Sequence, residues 1–374
     1  MDILQTLYVN LIPFILILSL LVFVHELGHY LVAKWNGVKV EVFSIGFGRE
    51  ILGWTDRSGT RWKISWLPLG GYVRMFSDLN AASQPDTKTI KEMSDEEKKM
   101  SLFHKTVWQR IAVSAAGPLA NYLFAILIFG IIYIVSGQRM PSTEAKIGFI
   151  MPSSPAAEAG LKVGDKVLSV NDKNVTTFSE LHDIIVKSPD VQLHLKIDRL
   201  GENLTISVKP TVVEIKDQKI GRLGIQQGFD QVKRPFYSAF GYALHDVIHV
   251  SYATLESVGR IIVRKQSADG LSGPIGIATT IGEVAQKNWI DLIWLTAFLS
   301  LNLGLINLFP VPMLDGGHLL FYFIEAVRGK PLSEKAQEIG FRIGFALLMG
   351  LVLLTTWNDL SRFKFFMYIK NLFN

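Results

Sequence analysis

Four long apolar segments constrain this chain more than any other feature of its sequence. They are Leu7 to Val32, Ile111 to Val135, Trp289 to Phe309 and Phe341 to Trp357. The first three are long enough to cross a hydrocarbon core of about 30 Å as helices, and the fourth is a short span. The composition agrees, because 49% of the residues are hydrophobic and only 19% are charged, a balance that soluble domains of this length rarely show. The sequence therefore predicts a multi-pass α-helical membrane protein with four transmembrane helices.

The basic residues predict an orientation for these helices. They flank the first loop and fill the third: Lys34, Lys39, Lys98, Lys99, Lys105, Arg110, Arg328, Lys330, Lys335 and Arg342. The positive-inside rule places both loops in the cytoplasm and residues 138–288 on the opposite side, although the tail residues Arg362, Lys364 and Lys370 would then face outward. The first segment is expected to remain in the mature protein, because it is too long for a signal peptide and no basic region precedes it.

Charge and cysteine content disfavour two other kinds of site. The net charge is +5, but the lysines and arginines are scattered or lie beside apolar segments, so we expect no nucleic-acid partner. The chain contains no cysteine, which rules out disulfides and a thiolate zinc site. The lipid bilayer is the partner that the composition favours.

The first loop has two parts of different composition. From Val38 to Val73, apolar and polar residues alternate and glycines are frequent, which predicts hairpin strands in a small membrane-associated sheet beside the first helix. From Ser77 to Lys99 the residues are polar and charged, which predicts a solvated surface loop.

A soluble domain is predicted between the second and third spans. The run from Ser154 to Asn171 indicates a short helix that ends at Gly160, a turn at Gly164 and Asp165, and a strand. Over about residues 144–212 this pattern resembles a PDZ domain of the bacterial protease type, an α+β fold that binds peptides by strand addition. The organisation predicted is residues 1–137 (spans one and two), 144–212 (PDZ domain), 213–288 and 289–374 (spans three and four).

Further elements are expected in and after this domain. Phe178 to Val186 has apolar residues at helical spacing and would border the peptide groove, while Val191 to Ile197 and Leu204 to Val208 would be strands. Phe236 to Val263 has apolar residues on one helical face, which predicts an amphipathic helix at or near the membrane surface.

The segment His25-Glu26-Leu27-Gly28-His29 matches the H-E-x-x-H pattern. On a helix, two histidines four residues apart project from one face and can bind one zinc ion, and the glutamate can reach its water. Placing two imidazoles and a carboxylate in an apolar helix costs several kcal/mol unless they face a cavity, a metal or each other. A functional cluster is therefore favoured over a fortuitous polar patch.

A catalytic zinc ion needs a third protein ligand. Glu41 or Glu50 would serve by spacing, but Asp315 is the better candidate. It follows Pro310 and Pro312, which break a membrane helix and expose backbone that lipid does not tolerate unless it faces a protein cavity. The alternative for Asp315 is an ordinary interfacial turn with a capping aspartate.

Several motifs together resemble the site-2 protease family. They are H-E-x-x-H in the first span, Ala116-Gly117-Pro118 with Asn121 in the second, Ser272-Gly273-Pro274-Ile275-Gly276 before the third, N-x-x-P-x-P-x-L-D-G-G from Asn307, and the inserted PDZ domain. The resemblance covers nearly the whole chain and is strongest to the bacterial regulator-of-sigma-E proteases, some of which have two PDZ domains where this chain has room for one. It implies that His25, His29 and Asp315 bind Zn²⁺ and that Glu26 is the general base.

The resemblance also implies a substrate site and a location. A substrate strand would pair with the sheet near Gly46 to Gly48 and Gly70 to Val73, with Asn302 and Asn307 near the peptide. The substrates would be single-span proteins already shortened by another protease, including anti-sigma factors, and signal-peptide remnants. The enzyme would lie in the bacterial inner membrane with its PDZ domain on the periplasmic side.

Two rival functions fit the sequence less well than a protease. A catalytically silent PDZ scaffold would have no need of H-E-x-x-H together with Asp315, and a metal transporter would be expected to have repeated halves. His318 lies three residues after Asp315 and is a weaker ligand candidate. The remaining histidines have no competing ligand spacing: His104, His182, His194, His245 and His249.

Overall fold

The computed structural model describes residues 3–76, 78, 92–215 and 218–362. These form two compact units, one made of residues 1–131 and 237–374 and the other of residues 132–236. Most of the predicted loop from Ser77 to Lys99, and the tail residues Lys364 and Lys370, lie outside the described residues.

The first unit begins with two long helices and a hairpin between them. Its elements up to residue 135 are α1 (Ile3–Trp35), β1 (Val40–Thr55), β2 (Arg61–Met75), α2 (Asp95–Met100) and α3 (Val107–Val135). The predicted hairpin is confirmed, since β1 and β2 pair antiparallel. Its aromatic face packs on α1: Phe43 stacks on Trp62 at 4.2 Å, and Tyr30 of α1 meets the Trp62 ring edge-on at 5.0 Å. The sheet therefore lies against the helix that carries the histidine pair.

The second unit is built around an antiparallel sheet of four strands in the order β6-β5-β7-β8. Its elements are β3 (Gln138–Pro141), β4 (Ile147–Ile150), α4 (Pro155–Glu158), β5 (Lys166–Val170), β6 (Lys173–Asn174), α5 (Phe178–Val186), β7 (Leu193–Arg199), β8 (Glu202–Val208), β9 (Thr211–Ile215), β10 (Gln218–Arg222), β11 (Ile225–Gln227) and β12 (Phe229–Val232). The helix expected from Phe178 is confirmed, with Leu181 and Ile185 buried in an aliphatic core.

The chain then returns to the first unit as five helices. These are α6 (Phe236–Ile262), α7 (Pro274–Lys287), α8 (Trp289–Asn307), α9 (Asp315–Arg328) and α10 (Glu334–Arg362). The predicted amphipathic helix is α6, which buries Ala239, Ala243 and Val247 on one face. On another face it exposes large apolar side chains that include Leu244, Ile248 and Tyr252.

Four of the described helices are long and apolar enough to cross a membrane: Tyr8–Trp35, Val107–Val135, Trp289–Asn307 and Glu334–Ser361. The four predicted apolar segments are thus helical, but several helix boundaries differ from the prediction, most of all at two starts. The second helix begins at Val107 rather than Ile111, and the fourth at Glu334 rather than Phe341. Hydropathy marks only the apolar part of a helix, whereas backbone hydrogen bonding continues into polar residues on either side.

Three helices were not predicted, namely α2, α7 and α9. Within the expected polar loop, α2 forms because Ser94 and Glu97 make a reciprocal capping box. The other two begin at glycine-rich sequence that resembles a helix break. For α7, the Asp359 carboxylate of α10 accepts hydrogen bonds from the backbone N–H groups of Gly273 (3.0 Å) and Gly276 (2.8 Å). A buried carboxylate from a distant helix therefore caps this N-terminus.

Helix α10 also contacts the turn that precedes α9. A Cβ added at Gly344 would overlap the Pro312 carbonyl oxygen, and one added at Gly340 would lie 3.5 Å from Pro312 Cγ. The two glycines, four residues apart, let the proline turn approach the helix backbone closely. The same helix thus supports the segment that carries Asp315 and, through Asp359, the start of α7.

Candidate active site

The three predicted ligands meet in the first unit. His25 and His29 lie one turn apart on α1 with their Nε2 atoms 3.3 Å from each other. Asp315 Oδ2 lies 3.1 Å from His25 Nε2, and Asp315 Oδ1 lies 3.3 Å from His29 Nε2. One ligand atom from each residue falls within a group no more than 4.8 Å across. The spacing of the histidines is set by a single helix, whereas Asp315 arrives from a segment far along the chain.

The turn before α9 delivers Asp315 to the histidines. Helix α8 ends at Asn307, and α9 begins at Asp315 itself. Between them Met313 has φ +88°, a left-handed conformation that is strained for a residue with a side chain. A Cβ at Gly316 would overlap the Leu308 and Phe309 carbonyl oxygens. The glycine after the aspartate is therefore needed for the turn to pack against the end of α8.

Helix α3 fixes the histidine rings from the other side. His29 Nδ1 lies 2.8 Å from the Val113 carbonyl oxygen, to which it donates, and His25 Nδ1 lies 3.2 Å from the Asn121 side-chain amide. A Cβ at Gly117 would overlap the His29 imidazole, and a Cβ at Gly28 would overlap the Ala116 carbonyl oxygen. The Ala116-Gly117-Pro118 sequence thus lets α3 approach α1 closely enough to hold the rings.

This donor set fits a catalytic zinc ion. Two imidazole nitrogens and one carboxylate are the ligands that zinc accepts in hydrolytic sites, with a fourth position left for water or substrate. Metal-binding histidines usually have their second ring nitrogen held by another group, as found for both histidines here. The remaining candidates lie elsewhere: Glu41 pairs with Arg74 at 3.2 Å, and Glu50 pairs with Arg61, both on the hairpin.

Glu26 lies beside this cluster and against the hairpin. Its carboxylate lies near the Val73 backbone of β2. A Cβ at Gly71 would lie 3.2 Å from Glu26 Cγ, so the absence of a side chain there admits the glutamate. The predicted base therefore lies next to the strand beside which a substrate is expected.

A cavity of about 660 Å³ opens onto these residues. Of the predicted substrate-binding residues, Gly70, Gly71 and Asn307 line it, together with Phe47 and Tyr72. Gly46, Gly48 and Asn302 are not among the described residues that line it. The side-chain amide of Asn302 donates to the Phe298 carbonyl oxygen of its own helix at 2.8 Å.

The sequence did not indicate a buried ion pair and an aromatic ring near the cavity. Arg110, expected as a loop charge, is instead buried and forms a bidentate pair with Glu325 at 3.0 and 2.5 Å. Its guanidinium also lies 4.9 Å from the centre of the Tyr322 ring, and burial raises the pKa of Tyr322 to about 12. His318 lines the cavity with Tyr322 but is not part of the ligand cluster. Arg110 and Glu325 are 215 residues apart, so no local pattern could reveal the pair.

Comparison with known proteins identifies the family. Residues 13–351 match the profile of Peptidase family M50. This chain belongs to that family. A protein of Agrobacterium fabrum is 41% identical over 361 residues, which are 94% of this chain and 95% of the relative. The metalloprotease MmpA of Caulobacter vibrioides is 36% identical over 98% of both chains. The zinc metalloprotease RasP of Bacillus licheniformis is 33% identical over 94% of this chain and 99% of its own length.

The match to a peptidase family over most of the chain confirms the prediction that this protein is a metalloprotease. Among solved structures, the PDZ domain of an SdrC-like protein from Listeria monocytogenes covers 24% of this chain and 93% of its own, with 18% identity and a TM-score of 0.20. The roles of His25, Glu26, His29 and Asp315 remain predictions.

Proposed function

We propose that this peptidase is a zinc metalloendopeptidase that hydrolyses peptide bonds within the transmembrane segments of single-span proteins. The observation that carries this proposal is the position of H-E-x-x-H. His25, Glu26 and His29 lie within the candidate span Tyr8–Trp35 and face a cavity that also contains Asp315. Ionisable residues at that depth of an apolar helix are costly unless they serve a function.

In the proposed mechanism, a metal ion and one carboxylate have separate roles. Zinc, when bound by His25, His29 and Asp315, supplies Lewis-acid catalysis that activates water and polarises the scissile carbonyl. Glu26 removes the proton of the attacking water and donates it to the leaving amine. The Glu26 carboxylate lies near the Val73 backbone, next to the strand proposed for the substrate. Asp315, His25 and His29 act as ligands only.

The hairpin offers a place for the substrate backbone. A helical segment is a poor protease substrate because its carbonyl groups are hydrogen-bonded within the helix, so it must unwind first. Pairing of the unwound segment with the sheet near Gly70 and Gly71 would satisfy its exposed backbone groups. Because Glu26 lies beside the same strand, a peptide docked there would be close to the base.

We further propose that the enzyme lies in a bacterial inner membrane, with residues 144–212 forming a PDZ domain on the periplasmic side. The basic residues of the first and third loops support this orientation. The substrates would be single-span proteins already shortened by another protease, of the anti-sigma factor type, and signal-peptide remnants. The PDZ domain would act as a gate that excludes unshortened substrates.

Reconstitution in liposomes with a shortened single-span test protein would test this function. We expect products whose masses place the cut inside the apolar segment, loss of cleavage on chelation, and recovery on addition of zinc. A matched substrate with an uninterrupted polyleucine segment should be cut more slowly, because it resists unwinding. Cleavage confined to the soluble flanks, or cleavage that chelation does not affect, would contradict the proposal.

A further inference from the structure

Asn121 makes an unusual contact with His25. The residue is fully buried on α3, and its side-chain nitrogen lies 3.2 Å from His25 Nδ1. In this orientation the amide oxygen, also buried, has no hydrogen-bond partner among the described residues. A buried acceptor without a partner costs roughly 1–3 kcal/mol. The His25 ring nitrogen is therefore the partner that this amide has among the described residues.

The same orientation conflicts with the ligand role of His25. An amide N–H can donate to Nδ1 only if that nitrogen carries no proton, and a neutral imidazole then has its proton on Nε2. His25 Nε2 is the atom that faces Asp315 at 3.1 Å and His29 at 3.3 Å. A nitrogen that carries a proton has no lone pair to offer a metal.

Rotation of the amide by 180° removes the conflict with the ligand role. The nitrogen and oxygen of an asparagine side chain exchange places with almost no change in shape. The oxygen would then accept from His25 Nδ1–H, and the Nε2 lone pair would face the ligand cluster. His29 already has this arrangement, because the Val113 carbonyl oxygen at 2.8 Å from its Nδ1 can only accept. Both rings would thus be oriented by acceptors of α3.

We propose that Asn121 is a positioning residue whose amide oxygen accepts the Nδ1 proton of His25 and thereby keeps the Nε2 lone pair available to zinc. The proposal rests on the zinc function proposed above and deepens it. Asn121 is itself fixed by helix α8, since the Ser300 hydroxyl donates to the Asn121 backbone oxygen at 3.0 Å. It acts through His25 and needs no contact with substrate.

Zinc affinity of the purified full-length chain, measured by competition with a chelator, tests this role. We expect Asn121→Ala to bind zinc about 10- to 100-fold more weakly, the usual effect of losing such a partner. Asn121→Asp presents only acceptors and should recover most of the affinity. Thr296→Ala is the matched control, because it removes a buried hydroxyl of α8 that donates to the Leu292 carbonyl oxygen of its own helix, and it should bind zinc normally.

Wild-type affinity in Asn121→Ala would overturn the proposal, as would a folded Asn121→Asp that binds zinc as weakly as the alanine variant. His25→Ala separates this outcome from failure of the zinc site. If His25→Ala loses zinc while Asn121→Ala retains it, only the positioning role is wrong. If His25→Ala retains zinc, the proposed zinc site itself is wrong.

A measurement on the unmodified residue covers the case in which the variants fold poorly. NMR of zinc-loaded protein labelled with ¹⁵N-histidine should show a proton on His25 Nδ1 that exchanges slowly with water and is shifted downfield by its hydrogen bond. Rapid exchange of that proton, comparable with an exposed ring such as that of His245, would contradict the role of Asn121.

Discussion

The two units of this protein bury polar side chains in different ways. In residues 132–236 the core is aliphatic, and the buried carboxylate of Asp165 pairs with Arg199 only 34 residues away. In the first unit, buried polar side chains pair with groups on separate helices, as His29 of α1 does with Val113 of α3 and Arg110 of α3 with Glu325 of α9. Apolar helices supply few polar partners of their own, so a buried polar group there must be met by another helix. Each such contact either stabilises the packing of two helices or positions a side chain of the site.

The largest effect should come from removing a ligand in the first unit. His29→Ala is expected to abolish zinc binding and reduce cleavage to background, because two ligands do not hold a catalytic zinc ion. Metal analysis of the purified variant and a cleavage assay would measure both. His249→Ala, an exposed histidine of α6, is the control and should change neither. A His29→Ala protein that retained one zinc ion per chain would contradict the ligand assignment.

The next largest effect is expected from breaking the buried ion pair that links helices α3 and α9. Glu325→Ala leaves the Arg110 guanidinium buried without its partner, which should destabilise the protein by about 3–5 kcal/mol. Unfolding in a denaturing detergent would measure the loss. Replacing both residues, as Arg110→Met with Glu325→Leu, should recover most of it.

An exposed ion pair on α10 serves as the control for that prediction. Arg342 and Glu338 of α10 are 79% and 62% exposed in their side chains, and Arg342→Ala should cost less than about 1 kcal/mol. Equal losses in Glu325→Ala and Arg342→Ala would show that burial of the Arg110 pair has no special effect.

A smaller effect on stability, confined to the second unit, is expected from disrupting the buried pair of Asp165 and Arg199. Burial would raise the pKa of Asp165, but hydrogen bonds from Arg199 and the Lys162 backbone N–H outweigh it and hold the pKa below its usual value. The stabilisation is therefore complete above the unfolded pKa of about 3.9 and is lost as the pH falls through the lower folded value.

Asp165→Asn should remove that pH dependence and destabilise this unit by roughly 1–3 kcal/mol. Amide hydrogen exchange of β5 and β7 in the intact chain would report the change, while zinc content should stay constant. A loss of zinc in Asp165→Asn would mean that the two units are coupled more strongly than their separate cores suggest.

Deletion of the predicted PDZ domain should have the smallest effect on the zinc site. Deletion of residues 144–212, with the ends rejoined, should leave zinc binding and cleavage of a shortened substrate intact. It should also permit cleavage of the full-length substrate, because a folded periplasmic domain would exclude bulky ectodomains by size. A zinc-loaded deletion variant that still rejects the full-length substrate would favour recognition of newly exposed C-termini instead.

Features with a local signal could be predicted from the sequence. Apolar length predicted the four long helices, alternation predicted the hairpin, and residue spacing brought His25 and His29 to one helical face. Helices α7 and α9 were missed because they begin at Gly273-Pro274 and Asp315-Gly316, where the glycines lower the helix propensity of the first turn. Their first turns are stabilised by contacts from far along the chain, as Asp359 shows for α7.

Contacts between distant segments explain what could not be predicted in the site. The position of Asn121 relative to His25 depends on how α3 crosses α1, and 96 residues separate the two. The place of Asn302 near the substrate stays a prediction, and its amide also donates to the Phe298 carbonyl oxygen of the same helix. A polar residue in an apolar helix signals that a partner exists without indicating which one.

Zinc content and turnover of Glu26→Gln, measured on the same sample, separate metal binding from catalysis. Glutamine preserves the size of the side chain, but it cannot accept the proton of the attacking water. We expect one zinc ion per chain, an intact fold, and cleavage reduced at least about a hundredfold, the lower range for loss of a general base. Cleavage at close to the wild-type rate, or loss of zinc in this variant, would contradict the assignment of Glu26 as a base that does not bind the metal.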